Sequence, residues 1–188
     1  MAATSHSHPP LKGGALVAGT IALSLATFMN VLDSSIANVS IPAISGDLGV
    51  APNQGTWVIT SFGVANAISL PLTGWLTVRF GQVRIFLTSV LLFVLASFLC
   101  GLAPTLSTLI AFRVLQGFVA RPMIPLSQTL LLSTYPAQQS GTALAFWSMT
   151  TLIAPVVGPL AGGWIPDNIG WPWIFFINVP VGLVTAFA

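Results

Sequence analysis

The chain has 188 residues, of which 55% are hydrophobic and only 4% are charged, with five Lys or Arg and three Asp or Glu. Soluble domains carry about 25% charged residues and need them at the surface, so this composition excludes a soluble globular protein. The five basic residues lie far apart and form no basic patch, which argues against nucleic acid as a partner. The composition predicts an integral membrane protein.

Six candidate membrane-spanning segments follow in chain order. Long uncharged runs such as Leu48–Val78 exceed the roughly 20 residues that one helix needs to cross a bilayer, so they must contain turns. Dividing the runs at clusters of Pro, Gly, Asn and Ser gives spans 1 to 6, at about 14–42, 55–77, 84–103, 106–132, 141–165 and 171–188. The connecting loops are short, which predicts a compact bundle of six helices.

The basic residues also predict the orientation of the bundle. With six spans, the N-terminal tail at 1–13 and the loop that holds Arg79 and Arg84 lie on one side of the membrane. Loops on the opposite side hold Asp47 and Asp167 and no basic residue. Because positively charged loops tend to stay in the cytoplasm, the tail is predicted to be cytoplasmic.

An internal repeat divides the spans into two groups of three. The segments Gly74–Gly81 and Gly163–Gly170 share the pattern Gly, Trp, aliphatic, three variable residues, apolar, Gly. One ends span 2 on the cytoplasmic side and the other ends span 5 on the outer side, so the two copies have opposite topology, as in many secondary transporters. We therefore predict an all-α integral membrane protein with two inverted three-helix repeats, at about 14–103 and about 106–188.

The end of the chain falls inside span 6. No polar residue or basic anchor follows the apolar segment that begins at Trp171. We therefore expect the chain to be a fragment of a longer protein or a truncated gene product.

The residues that commonly carry catalysis are scarce. The two histidines, His6 and His8, lie in the N-terminal tail, and the single Cys100 lies in an apolar run. Zinc sites, cysteine nucleophiles and Ser–His pairs inside the membrane are therefore not expected. No glycine-rich phosphate loop followed by Lys is present, so ATP is not expected to drive the protein. The chain is predicted to be no enzyme and to hold no cofactor or metal.

Asp33 lies in the apolar span 1, where a carboxylate costs a few kcal/mol to insert and is a functional candidate. Burial favours the neutral acid, so such a group can bind and release a proton. The alternative is that Asp33 caps a helix that ends near Leu32. Arg113, about seven residues inside span 4, is its natural partner at a compatible depth, with Gln116 one turn later. Arg113 has an alternative too, which is to extend towards the outer interface.

Arg121 is followed by Pro122, and Pro125 comes one turn later. The prolines predict a kink in span 4 with freed backbone carbonyls. Those carbonyls can hold the guanidinium in a purely structural role. Equally, Arg121 can be a cation in a cavity that favours anionic substrates.

Span 5 has small residues every four positions, at Ala154, Gly158 and Gly162, and is interrupted by Pro155 and Pro159. Small residues on one face allow two helices to approach closely. The pattern indicates either a static packing seam or a helix that bends between two moving halves.

Five segments together resemble the motifs of one family. Their order and residues are similar to the N-terminal six-helix half of the EmrB-type drug and proton antiporters, in the fourteen-helix branch of the major facilitator superfamily. The resemblance covers about residues 15–188. The segments are Leu32–Pro42, Gly74–Arg84, Arg113–Gly117, Ala154–Gly163 and Trp173–Pro180.

This resemblance implies roles for the motif residues. Asp33 and Arg113 would take part in proton coupling, and Gln116 belongs to the same fourth-helix motif as Arg113. Arg121 is a candidate residue of the transport path because of its charge inside span 4, and not because of the resemblance. The cytoplasmic loop motif would gate between the two halves of the transporter. Its candidate residues are Gly74, Arg79, Gly81 and Arg84, and the exporter signature of span 5 supplies Pro155, Gly158, Pro159, Gly162 and Gly163.

The resemblance also implies an activity and partners. The activity is proton-coupled multidrug efflux, an exchange of protons for hydrophobic or amphipathic drugs, in a bacterial inner membrane. A periplasmic adaptor and an outer-membrane channel are implied partners, and the C-terminal half of the family fold is missing from the chain. The alternative is a non-transporting remnant, or a half-transporter that needs a partner chain.

Three positions depart from the family pattern. Val78 stands where the wider superfamily has an acidic residue, Arg121 where a small residue is usual, and Pro172 where a basic residue lies between two Trp.

Overall fold

The structure, a computed structural model, describes residues 13–136 and 138–187. The predicted tail at 1–13, with both histidines, lies almost entirely outside the described residues. The described part is helical and contains no strand, which confirms the all-α class. The helices are α1 Gly14–Val39, α2 Ile41–Asp47, α3 Pro52–Gly55, α4 Trp57–Phe80, α5 Gln82–Gly101, α6 Leu106–Ala120, α7 Met123–Thr134, α8 Ser140–Ile169, α9 Trp173–Phe176 and α10 Asn178–Phe187.

These helices correspond to the six predicted segments, of which the last is shorter than a full membrane span. Five stretches are long and apolar enough to cross a membrane, because α3 continues into α4 and α6 continues into α7. The sixth is the shorter apolar stretch Trp173–Phe187, in which α9 and α10 meet at Ile177. The chain is therefore a multi-pass membrane protein.

Two helices end at other residues than predicted, in both cases near a proline. Span 1 was expected to run to about residue 42, but α1 ends at Val39 because Pro42 lies in the first turn of a new helix, α2. A proline fits the first turn of a helix, where its missing N–H is not needed. Span 5 was expected to end at about 165, yet α8 includes Pro166 and continues to Ile169.

The two copies of the sequence repeat end in the same backbone conformation. Gly81 follows α4 with φ 87° and ψ 148°, and Gly170 follows α8 with φ 96° and ψ 150°. Residues with a side chain rarely adopt such positive φ values, so glycine is needed at both helix ends. The repeated glycines thus stop two helices in the same way in the two halves of the chain.

Helix α1 is the centre of the bundle and packs most extensively against α8, with further contacts to α7 and α10. One buried hydrophobic cluster surrounds residues 23–29 of this helix and includes Met29, and another surrounds residues 32–36 and includes Ile36. Trp147 of α8 also ties the helices together, because its Nε1 donates to Thr27 Oγ1 (3.1 Å) and to Ser127 Oγ (3.0 Å). The polar side chains of the candidate site lie in this same bundle core.

Candidate functional site

Asp33 lies well inside α1, which continues to Val39. Its exposure is 2%, so the carboxylate is buried in the bundle rather than placed at a helix end. The capping role considered for it is therefore wrong. Since a buried charge needs a partner, the groups around Asp33 decide what it can do.

Arg113 of α6 is the charged partner of Asp33. Its Nη1 lies 2.6 Å from Asp33 Oδ2, and both side chains are almost fully buried. Its Nε donates to the carbonyl oxygen of Val58 (3.1 Å), and its guanidinium lies 4.2 Å from the ring centroid of Phe62. An ion pair and a cation–π contact both favour the charge in this position. Arg113 therefore does not extend to the membrane interface.

Two amides complete the carboxylate's surroundings. Gln116 Nε2 donates to Asp33 Oδ1 (3.0 Å), and Gln116 Oε1 accepts from Arg113 Nη1 (2.6 Å). Asn178 of α10 donates through Nδ2 both to Asp33 Oδ1 (2.8 Å) and to Ser97 Oγ (2.9 Å). The hydroxyl of Ser97 in turn donates to the carbonyl oxygen of Phe175 (2.9 Å). The Asp33 carboxylate thus receives hydrogen bonds from both α6 and α10.

This arrangement links a titratable group to a permanent charge. An arginine side chain is a cation, and Asp33 is the only carboxylate in an ion pair with Arg113 among the described residues. One guanidinium nitrogen, Arg113 Nη2, is buried without a hydrogen-bond partner in this part of the chain. A proton on Asp33 would therefore leave the buried charge of Arg113 uncompensated, and the surrounding helices would have to respond.

Arg121 lies apart from this cluster, at the predicted break in span 4. Helix α6 ends at Ala120 and α7 begins at Met123, so the helix is interrupted where the prolines predict a kink. Arg121 follows Arg113 by eight residues, about 12 Å along a helix. Its Nε is buried and has no hydrogen-bond partner among the described residues. One of the two roles considered for Arg121 was structural, with freed backbone carbonyls holding its guanidinium. No carbonyl accepts a hydrogen bond from Nε in the described part of the chain.

The residues of the predicted gating loop also lie apart from Asp33. Arg79 is exposed, and its guanidinium lies 5.5 Å from the ring centroid of Trp75 and 5.7 Å from that of Phe80. Arg84 is exposed at the start of α5, and Gly74 has open space around its Cα. Gly81 provides the sharp turn between the two helices. The loop presents cations at one end of the bundle, and its gating role stays a prediction.

The small residues of α8 form a close seam with α1. A Cβ on Gly158 would collide with Ser35, and one on Gly162 would lie 2.9 Å from the carbonyl oxygen of Ile36. Ser40 Oγ donates across the seam to the carbonyl oxygen of Gly162 (2.9 Å). The remaining signature residues lie outside this contact, since Pro155 and Pro159 are exposed and Gly163 has open space beside it. The packing seam is therefore present, and bending of α8 stays a prediction.

Three residues of the Asp33 cluster were not among the predicted site residues. Asn178 could have been predicted from the sequence, because an amide in an apolar span is costly unless it is hydrogen-bonded. Ser97 had only a weak signal, since a single serine is tolerated in a membrane helix. Phe62 had none, because its place against Arg113 depends on how α4 and α6 pack.

A cavity of about 390 Å³ lies next to the cluster. It is connected to the ion pair through Phe62, which contacts Arg113 on one side and lines the cavity on the other. The lining combines apolar side chains with two amides and a hydroxyl. The lining residues are Asn30, Val31, Ser34, Ile59, Phe62, Gly63, Asn66 and Ile124.

A buried acid–base pair and an adjoining cavity in a membrane-embedded helical bundle are features of a transport protein. Residues 23–188 match the Major Facilitator Superfamily, and the chain belongs to this family. The family consists of transporters, which confirms that the chain is not an enzyme.

Among curated relatives, the chain is 66% identical to the multidrug export protein EmrB of Haemophilus influenzae, over 97% of this chain and 36% of that protein. It is 63% identical to EmrB of Escherichia coli, over 93% of this chain and 34% of that protein. It is 58% identical to the fatty acid resistance protein FarB of Neisseria gonorrhoeae, over 95% and 35% respectively. The chain spans about a third of the length of these relatives, and the EmrB-type resemblance is confirmed.

A solved structure agrees with the fold. The inward-open xylose transporter XylE from E. coli superposes with a TM-score of 0.78 at 14% sequence identity. The match covers 92% of this chain and 46% of the transporter. The six-helix bundle is thus a half of the major facilitator fold, as the sequence predicted.

Proposed function

We propose that this chain is the N-terminal half of a proton-coupled exporter of hydrophobic and amphipathic compounds. The observation that carries the proposal is the buried Asp33–Arg113 pair, joined by Gln116 and Asn178 at membrane depth. An ionisable pair inside a membrane bundle is typical of proton relays in transporters. The relatives' names, multidrug export and fatty acid resistance, support the class of compound.

In the proposed cycle, Asp33 is the group that carries the proton. When ionised, it holds Arg113 and receives the amide hydrogen bonds of Gln116 and Asn178. Protonation from the outside removes the attraction to Arg113, and the helices shift towards a state that faces the cytoplasm. Release of the proton inward restores the pair. The substrate occupies the adjoining cavity between α1, α4 and α7, so that its binding responds to the same shift.

The other predicted residues serve this movement in the proposal. The exposed arginines of the loop between α4 and α5, Arg79 and Arg84, face the cytoplasm and gate against the second half. The seam at Gly158 and Gly162 allows α8 to move against α1. The protein lies in a bacterial inner membrane with its N-terminus in the cytoplasm, and a periplasmic adaptor and outer-membrane channel carry the compound onward.

A second candidate is a half-transporter that pairs with another chain. It is favoured by the surface of α8, on which Leu152, Val156 and Leu160 are exposed. In this case the second half of the cavity comes from a separate chain. The Asp33 site has the same role in both candidates.

The test is coupled transport in lipid vesicles. The 188-residue chain is reconstituted alone and with the part of the H. influenzae relative that it does not match. Pyranine in the lumen reports protons, and the fluorescence of Hoechst 33342 reports the movement of a lipophilic drug. We expect both movements with the second half present. Coupled movement by the chain alone would support a self-sufficient dimer, and no movement from folded samples of either kind would refute the proposal.

Variants identify the proton-carrying group in the same assay. Asp33→Asn should abolish coupled movement, whereas Asp167→Asn, which removes an exposed carboxylate at the end of α8, should retain it. Because Asp33→Asn leaves Arg113 unpaired, the double variant Asp33→Asn/Arg113→Gln serves as a folded control that also lacks the proton site. Coupled movement in either Asp33 variant would show that another group carries the proton.

A further inference from the structure

Phe62 of α4 lies between the ion pair and the cavity. Its ring centroid is 4.2 Å from the guanidinium of Arg113, and the same residue lines the cavity of about 390 Å³. Phe175 of α9 also lies near this guanidinium, with its ring centroid at 5.5 Å, but it is fully buried and does not line the cavity. Of the two rings at Arg113, Phe62 is therefore the one that a molecule in the cavity can contact.

The sequence of α6 holds Phe62 in this place. Arg113 and Gly117 are four residues apart, so they lie on the same face of α6. A Cβ on Gly117 would collide with the backbone of Phe62. The missing side chain at Gly117 thus lets α4 approach α6 closely, next to the place where the ring of Phe62 meets Arg113. The helix that carries the buried cation therefore also positions the ring.

The guanidinium depends on this ring, because its other contacts leave it incomplete. Asp33 and Gln116 accept from Nη1, and the carbonyl oxygen of Val58 accepts from Nε. Nη2 of Arg113 is buried and has no hydrogen-bond partner in the described part of the chain. An aromatic ring attracts a cation on its face, more strongly where water is excluded. The position of Phe62 therefore contributes to holding Arg113 beside an ionised carboxylate.

The proton on Asp33 is the variable charge of this site. Arg113 is the charged group that faces Asp33 among the described residues. Cys100 of α5 is a titratable neighbour, and its thiol donates to Gln116 Oε1 (3.6 Å) as a neutral group. The described parts of α2, α4, α7, α8, α9 and α10 place no charged side chain against Asp33. A change in the charge of the site is therefore a proton gained or lost at this carboxylate.

We propose that Phe62 is the positioning residue that couples occupancy of the cavity to protonation of Asp33. The inference rests on the proposed export function and assigns a residue to its coupling step. A ligand packed against Phe62 holds the ring on Arg113 and so favours the ionised pair. When Asp33 is protonated, the carboxylate no longer holds Arg113, and the ring that rests on this cation loses its place beside the ligand. Such coupling is reciprocal, so binding of the ligand favours release of the proton.

Equilibrium binding at two pH values tests the inference. The purified 188-residue chain is placed in nanodiscs of phosphatidylcholine, and the Kd is measured for tritiated chloramphenicol. This amphipathic drug is neutral across the range used, so it has no direct charge interaction with Asp33. In the wild type we expect binding about tenfold tighter at about pH 9 than at about pH 5, within the usual range of coupling between two sites.

Variants of Phe62 separate coupling from simple contact. Phe62→Leu should reduce the ratio of the two Kd values to about two or less, because the ring that attracts the cation is gone. Phe62→Tyr keeps the ring and should retain the ratio. Phe62→Met, which has a similar volume and no ring, gives the same test if Phe62→Leu does not fold. Helical circular dichroism shows which variants are folded.

Phe86→Leu is the matched control for the loss of a buried ring. Phe86 belongs to the same hydrophobic cluster as Phe62, but it does not line the cavity. It should therefore leave the ratio unchanged. An equal reduction in Phe86→Leu and Phe62→Leu would show a general disturbance of the bundle and would overturn the inference.

Further outcomes also count against the inference. If Phe62→Leu binds the drug unchanged, or more weakly by the same factor at both pH values, the ring does not couple the cavity to Asp33. If the wild type does not bind the drug, the cavity is not a ligand site in this chain. Coupled transport by the wild type together with a full pH ratio in Phe62→Leu would refute this inference alone. A wild type that shows neither a pH ratio nor coupled transport would refute the proposed function as well.

Discussion

The free energy of the Asp33–Arg113 pair can be tested by removing its charges one at a time. The pair is fully buried, with 2.6 Å between Arg113 Nη1 and Asp33 Oδ2. Removing one partner of a buried pair costs about 3 to 5 kcal/mol, because the other charge stays buried without compensation. For Asp33→Asn we expect a loss of about 3 kcal/mol in the free energy of unfolding, since the amide oxygen still accepts a hydrogen bond.

The double variant gives the sharper result. Arg113→Gln should cost about 3 kcal/mol as well, because it leaves the carboxylate unpaired and breaks the bond to the carbonyl of Val58. Asp33→Asn/Arg113→Gln removes both charges together, so it should cost only about 3 kcal/mol in total rather than about 6. The two changes should therefore be coupled by about 3 kcal/mol.

The measurement is unfolding of the purified chain in mixed micelles with rising SDS, followed by helical circular dichroism. Asp167→Asn is the matched control, and its change should stay within about 0.5 kcal/mol because that carboxylate is exposed. If the double variant loses as much free energy of unfolding as the two single variants together, the two charges do not stabilise each other. The electrostatic reasoning about the site would then be wrong.

Three further expectations concern the packing around the site, and the same unfolding measurement checks the first two. Gly158→Ala should destabilise the bundle by about 1 to 3 kcal/mol, because the new Cβ collides with Ser35. Gly163→Ala is the control and should be neutral or slightly stabilising, because nothing lies within reach of its Cβ. Equal effects of the two variants would argue against a close α1–α8 seam. Trp147→Phe should cost about 1 to 2 kcal/mol, because it removes the one indole N–H that Thr27 Oγ1 and Ser127 Oγ share; an unchanged stability would show that this donor contributes little. Asn178→Leu removes a hydrogen-bond donor from the Asp33 carboxylate and should lower coupled transport in vesicles, because the proton site loses one of the groups that hold it in place. Unchanged transport would limit Asn178 to packing.

The sequence predicted the spans because membrane helices obey a simple length rule. Each run of apolar residues has to cross the same thickness of hydrocarbon, and charges are excluded from it. The predicted helix ends were wrong near two prolines. Pro42 begins a new helix, whereas Pro166 remains inside α8, and the difference depends on packing and turn geometry that the residue type alone does not contain.

The ion pair could be predicted from the free energy that an unpaired charge costs inside a membrane, whereas the other side chains around the pair could not be predicted. An intramembrane Asp and an intramembrane Arg at similar depth must find each other, so Asp33 and Arg113 could be paired without a structure. Asn178, Ser97 and Phe62 come from other helices, and their places depend on which faces of the bundle meet. The resemblance to a family supplied the order of the motifs but none of these contacts.

Helix α1 connects the proton site with the α8 seam through consecutive residues. Asp33 bonds to α6 and α10, while Ser35, two positions later, lies against Gly158 of α8. A helix cannot rotate or shift at Asp33 without moving Ser35, because the backbone between them is rigid on the scale of these contacts. In the proposed cycle, a proton on Asp33 therefore acts directly on the packing of α8. The close fit at Gly158 makes that packing sensitive to small displacements, so a local neutralisation of charge can alter how a whole helix sits in the bundle.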